Sequence, residues 1–133
     1  MGPNGVITTR SPHDSADTMA RLKAAVTAKG LSIFAHVDHA AGAAAAGMTL
    51  RPTDLLIFGN AKGGTPLMQS VQSIGIDLPL KALVWQDDAG ATWLSYNDPA
   101  WLVQRHHGHP ETAAVVTALS AALQAIATAA TSA

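Results

Sequence analysis

Two β-rich segments, Leu80 to Gln86 (LKALVWQ) and Thr92 to Tyr96 (TWLSY), flank the short Gly-containing connection Asp87-Asp88-Ala89-Gly90. That spacing reads as an antiparallel hairpin. A hairpin in the middle of the chain argues against a purely parallel doubly wound sheet and favours an α+β fold, with helices on one face of a mainly antiparallel sheet. Upstream, Val6 to Arg10 is rich in β-branched residues and suits an edge strand. Asp14 or Ser15 can cap a helix whose apolar stripe, Met19, Leu22, Ala25 and Val26, runs to a stop at Gly30. Leu31 to Asp38 alternates, placing Leu31, Ile33, Ala35 and Val37 on one face and Ser32, Phe34, His36 and Asp38 on the other. His39 to Gly47 is Ala-rich and reads as a short, closely packed helical turn. Asp54 to Gly59 (DLLIFG) is an unbroken apolar run, expected to be a strand buried on both faces. Gly59 to Thr65 reads as a loop, with Thr65 capping a helix that has Pro66 at its first position and ends at Gly75. Asn97 or Asp98 caps a short helix through Trp101, Leu102 and Arg105. From Pro110, the positions Val115, Val116, Leu119, Leu123 and Ile126 describe a terminal helix. With no internal repeat or linker, residues 1–133 read as one domain, with a core over 6–106 and a C-terminal helix over 111–130.

Composition narrows the function classes. Eight Lys plus Arg against nine Asp plus Glu give a net charge of −1, so no concentrated basic face is available for nucleic acid. The absence of Cys excludes disulfides, thiol nucleophiles and thiolate metal sites. The opening MGPNGVITTRSPHDSADT lacks a basic start followed by an apolar core, and no stretch reaches about 18 strongly apolar residues. The expectation is therefore a cytoplasmic protein without membrane attachment. The closest approach to a span, Val115 to Ala130, is interrupted by Thr117, Ser120, Gln124 and Thr128.

Three clusters can carry chemistry. In His36-Val37-Asp38-His39, His36 and Asp38 share a strand face about 6–7 Å apart, close enough to bind one metal or for Asp38 to orient the imidazole. His39 opens the turn and can aim into a cleft, which makes His36 and His39 the metal candidates and His39 with Asp38 the catalytic ones. Structural roles for both histidines are the alternative. In Gly59-Asn60-Ala61-Lys62-Gly63-Gly64-Thr65, glycines and a lysine precede a helix start, the ingredients of an anion cradle, although neither phosphate-loop nor dinucleotide patterns are present. Lys81 can add a second positive charge. The tract His106-His107-Gly108-His109 resembles a metal-binding run but also suits a polar connector. Trp85 and Trp93 read as cross-strand neighbours in a core or subunit interface, with Trp101 nearby. No Ser-His-Asp pattern appears in the sequence.

The stretches IFAHVDHAAGAAAAG, LRPTDLLIFGNAKGGTPLM, IDLPLKALVWQDDAG and LSYNDPAWLVQRH, covering roughly Leu31 to His106 in order, resemble the bacterial domain of unknown function 302 family. The resemblance implies an α+β fold similar to the TATA-binding-protein-like class, β-α-β(4)-α in outline, assembled as a homodimer. It places His39, Asn60, Lys62, Thr65 and Lys81 at family motif positions. Two departures are Ala61, where the family loop usually carries proline, and the expanded His106 to His109 tract.

Three functions compete on these grounds. The leading one is a homodimeric module that holds a small polar or anionic ligand between His39, Asn60, Lys62, Thr65 and Lys81. The second is an enzyme with His39 as general base or metal ligand, assisted by Asp38 or His36. The third is a structural domain that dimerises through Trp85 and Trp93. No cofactor is indicated.

Overall fold

The computed structural model describes residues 4–133, so the first three residues of the N-terminal segment read above lie outside it. In chain order the elements are β1 (Val6–Ser11), α1 (Ser15–Ala28), β2 (Ser32–Asp38), α2 (His39–Ala45), β3 (Thr53–Gly59) and α3 (Ala61–Ser70). They continue with β4 (Leu80–Gln86), β5 (Thr92–Asn97), α4 (Pro99–Arg105) and α5 (Ala113–Thr131), with 3₁₀ turns at Gln72–Asp77 and Pro110–Thr112. The strands form one sheet in the order β1-β5-β4-β3-β2, every neighbouring pair antiparallel. The α+β expectation holds, and the hairpin connects two central strands.

Alternation along the strands divides the sheet. Leu56 and Phe58 of β3, Leu80, Ala82 and Val84 of β4, and Leu94 and Tyr96 of β5 are buried against α1 and α5. Those helices contribute Met19, Leu22 and Val26, and Leu123, Ile126, Ala127 and Ala130. Full burial of each larger side chain stabilises by about 1.5–3 kcal/mol. Asp14 caps α1 by accepting from Asp17 N at 2.7 Å. The buried Thr18 hydroxyl donates to the Asp14 carbonyl at 2.8 Å, which leaves it to accept from Ser11 Oγ at 2.7 Å. Thus α1 is tied to the end of β1 without an unsatisfied polar group. A smaller cluster of Leu67, Ile74 and Leu102, with Trp101 packed against it, joins α3, the following 3₁₀ turn and α4.

The opposite sheet face carries no helix pair. Trp85 and Trp93 lie directly opposite each other, with ring centroids 6.2 Å apart and planes at 27°. Trp85 Nε1 donates to Ser95 Oγ at 3.0 Å, Trp93 Nε1 donates to Asp87 Oδ2 at 2.8 Å, and Arg10 lies over the Trp93 ring. Asp87 Oδ1 also accepts from Ala89 N and Ala91 N, so one carboxylate organises the hairpin turn and anchors an indole.

Four local expectations change. A bulge between Ile33 and Ala35 shifts the parity of β2, so Ile33 and His36 face the helix side while Ala35 and Val37 face the open side. No residue of α2 is buried, because this helix extends beyond the area roofed by α1 and α5. On β3, Leu55 and Ile57 are only half-buried. Finally, Pro110–Thr131 is the one helical stretch among the described residues long and apolar enough to cross a membrane by length and composition. Its Leu123, Ile126, Ala127 and Ala130 nevertheless pack on the sheet and α1.

Two outcomes follow from this packing. Phe58→Ala is expected to cost about 3–5 kcal/mol in urea denaturation, because the emptied site is fully buried in the core between the sheet and the helices. The Trp93 and Ala91 hydrogen bonds hold the Asp87 carboxyl below its ordinary value. A depressed folded-state value stabilises above the unfolded value of about 3.9. The advantage of the wild type over Asp87→Asn is therefore present at neutral pH and closes as the pH falls through the folded value.

Candidate functional site

A cavity of about 290 Å³ opens where β3 runs into α3. Asn60 starts α3: its side chain accepts from Gly63 N at 2.8 Å and its carbonyl from Gly64 N. This cap places the helix start ahead of the glycine pair, so Gly63 and Gly64 are helical and Pro66 lies inside the helix, where a Thr65 cap had been expected. Glycine within a helix costs about 1 kcal/mol relative to alanine, and here the missing side chains make space. Gly63 and Gly64 line the cavity together with Met68, Gly75, Leu78, Pro79, Leu80 and Leu119, while Leu31 and Phe34 close it from the side of β2. A Cβ on Gly64 would meet Leu78 and Met68 at ordinary contact, 3.7 Å, whereas one on Gly63 would press Leu119 at 3.2 Å. The wall is almost entirely apolar, with Asn60 and Thr65 its polar side chains. Beside them begins α3, whose first N–H groups have no intrahelical acceptor.

The structure divides the residues singled out in the sequence. Asn60 and Thr65 line the cavity, and Lys62 follows in the exposed first turn of α3. Lys81 is at the same end of the sheet but, opposite Ile57, on the face away from Leu80 and the cavity; its Nζ donates to the Pro79 carbonyl at 3.1 Å. Burial pushes its pKa down, against an opposing pull from Asp77. His39 is elsewhere. It opens α2 next to Asp38, and Asp38 pairs with Asp54, while Gly59 at the other end of β3 pairs with Ser32. Five residues of strand, about 17 Å, separate His39 from the cavity, so one chain does not bring the five together. Asp38 accepts from Ala41 N at 2.9 Å as the cap of α2, and His36 Nε2 meets Asp54 Oδ1 at 2.9 Å. Among the described residues no three His, Asp or Glu side chains converge as a metal-binding set.

One polar cluster was not legible in the sequence. His106 contacts Ser73 Oγ through Nδ1 at 2.9 Å and Asp77 through Nε2, and Arg105 Nη1 donates to both Asp77 oxygens at 3.0 Å. The residue types are those of a hydrolytic triad, but Ser73 sits on the exposed surface and Arg105 shares the carboxylate. The contacts tie the Gln72–Asp77 turn to α4. Its members lie about 30 residues apart in sequence, so no spacing rule picks them out.

The profile of the family described as Domain of unknown function DUF302 matches residues 7–126. The chain belongs to this family. A crystal structure of an uncharacterized conserved DUF302 protein from Bacillus stearothermophilus superposes with a TM-score of 0.84 at 18% identity, covering 95% of this chain and 98% of that one. The shared DUF302 fold is thereby shown. Two curated relatives, fluoride-specific ion channel FluC 1 of Brucella suis biovar 1 and FluC 1 of Brucella abortus biovar 1, are each 50% identical over 103 residues. Those 103 residues are 77% of this chain but only 41% and 38% of the relatives, so this chain spans about two fifths of their length.

The cap that defines the site is testable alone. Asn60→Ala is expected to destabilise by about 1 kcal/mol, and Gly64→Ala to stabilise by up to about 1 kcal/mol, both measured by denaturant titration.

Proposed function

We propose that this DUF302 chain is a homodimeric, cytoplasmic binding module for a small ligand with an apolar body and an anionic or polar head. The observation that carries the reading is the cavity at the β3–α3 junction, where the helical Gly64 leaves room that alanine would fill at a gain in helix stability. A fold that gains nothing from this void keeps it for an occupant. The apolar wall accepts the ligand's body. Asn60, Thr65 and the leading N–H groups of α3 receive the head, and Lys62 supplies positive charge in the first turn of that helix.

The names of the Brucella relatives suggest a second reading, in which the domain works beside a fluoride channel and its ligand is the halide itself. A cavity of about 290 Å³ with apolar walls suits a larger, amphipathic anion better.

Thermal denaturation with benzoate, hexanoate and sodium fluoride separates these readings. A carboxylate at a hundred times its dissociation constant stabilises by about 2.7 kcal/mol. The expected result is a raised melting temperature with benzoate or hexanoate that disappears in Gly64→Leu, whose side chain occupies the cavity. A shift with fluoride alone favours the second reading, and no shift with any of the three contradicts the module.

A further inference from the structure

A second cavity, of about 390 Å³, lies between the β1 edge of the sheet and α5, with Asp98 at the turn into α4. Its wall differs in kind from that of the first. Thr9, Tyr96, Asp98, Ser120, Gln124 and Thr128 line it, and among the described residues no Lys, Arg or His does. Helix α5 separates the two cavities, lining the first with Leu119 and the second with Ser120, Gln124 and Thr128.

The polar side chains of α5 fall into two groups. Thr117 and Thr131 donate their hydroxyls to the helix's own carbonyls four residues back, at 3.0 and 2.8 Å. Ser120, Gln124 and Thr128 recur every four residues, which sets them in one row on the helix, and among the described residues their side chains have no hydrogen-bond partner. Every other residue of α5 is Ala, Val, Leu or Ile, so its unengaged polar groups are gathered at this cavity. Across from them, Tyr96 is only 8% exposed. Its hydroxyl also lacks a partner among the described residues, yet no fully buried polar atom is left unsatisfied, so the oxygen opens into the cavity that the ring lines. Burial, and to a lesser degree the charge of Asp98, push the Tyr96 pKa up. The hydroxyl therefore stays protonated and is offered as a donor. Asp98 spends Oδ1 on the cap of α4, accepting from Ala100 N at 3.1 Å, and its Oδ2 remains available.

We propose that this cavity binds a small cationic polyol of the amino-sugar or amino-alcohol type. The ligand's ammonium group meets Asp98 Oδ2 in a charge-assisted hydrogen bond. Its hydroxyls exchange hydrogen bonds with Tyr96, Ser120, Gln124 and Thr128, whose groups both donate and accept. The volume lies in the range of small-molecule sites. A wall whose one formal charge is negative disfavours an anion, and among the described residues no further carboxylates or imidazoles join Asp98 to hold a metal ion. The site is thus separate from the cavity at the β3–α3 junction and opposite to it in charge preference.

Titration of isotope-labelled protein with glucosamine, followed by NMR at a pH where the amine is protonated, tests the site, with glucose as the uncharged counterpart. Glucosamine is expected to move the Gln124 side-chain amide and the backbone amides of Thr9 and Ser120, and to bind more tightly than glucose. Asp98→Asn keeps a capping side chain on α4 and is expected to weaken glucosamine about tenfold or more, the loss of a hydrogen bond to a charged group. Tyr96→Phe is expected to weaken it while leaving the urea midpoint unchanged, because the hydroxyl makes no contact within the fold. Gly64→Leu is expected to leave glucosamine binding as it is, so failure of the ligand proposed for the first cavity registers separately. Glucosamine that moves none of these resonances, glucose that binds equally well, or full affinity in Asp98→Asn overturns the proposal. A lowered midpoint in Tyr96→Phe assigns the hydroxyl to the fold and contradicts it as well.

Discussion

The packing of α1 beside α5 on one face of the sheet sets what the rest of the molecule does. Strands lie about 4.8 Å apart and packed helices about 10 Å apart, so two helices side by side roof about four strands. The buried side chains of β3, β4 and β5, together with Ile7 of β1, lie beneath this roof, and the fifth strand, β2, falls outside it. The exposed apolar edge, the uncovered α2 and the gap between β2 and α3 all follow from that mismatch of widths.

The gap matters because of how α3 begins. Asn60 starts the helix early enough to draw both glycines into its first turns, and α5 reaches over them with Leu119. A larger side chain at Gly64 would fill this space and strengthen the helix, whereas one at Gly63 would press Leu119. The low-polarity cavity and its adjacent positive helix end then form one feature, an apolar container with a polar rim. The open sheet face differs in character. Its tryptophans are already engaged with Ser95, Asp87 and Arg10, which makes it a less open surface than β2, where every residue is exposed.

Much of the architecture was legible because local rules decide it. The hairpin, the caps at Asp14 and Asp98, and the stripe Met19, Leu22 and Val26 depend on near neighbours, and each falls where the pattern places it. The errors have one kind of cause. The bulge between Ile33 and Ala35 is a feature of pairing with β3 and leaves no mark in the alternation of β2 itself. A glycine pair signals a turn in sequence, and only the cap geometry of Asn60 shows it to be helix. The walls of the cavity come from Leu31, Phe34, Leu78 and Leu119, a set no spacing connects. The separation of His39 from Lys62 and Lys81 requires the register of two strands, so the motif residues were identified without the distances between them.

The central claim is that the cavity at the β3–α3 junction receives a ligand with an apolar body and an anionic or polar head. Amide chemical-shift mapping by NMR during titration with benzoate tests it directly. The account predicts shifts concentrated at Asn60, Gly63, Gly64, Thr65, Leu80 and Leu119, which line the cavity, while Thr8 and Leu22 keep their positions. Shifts scattered over the surface, or none at saturating benzoate, would contradict it.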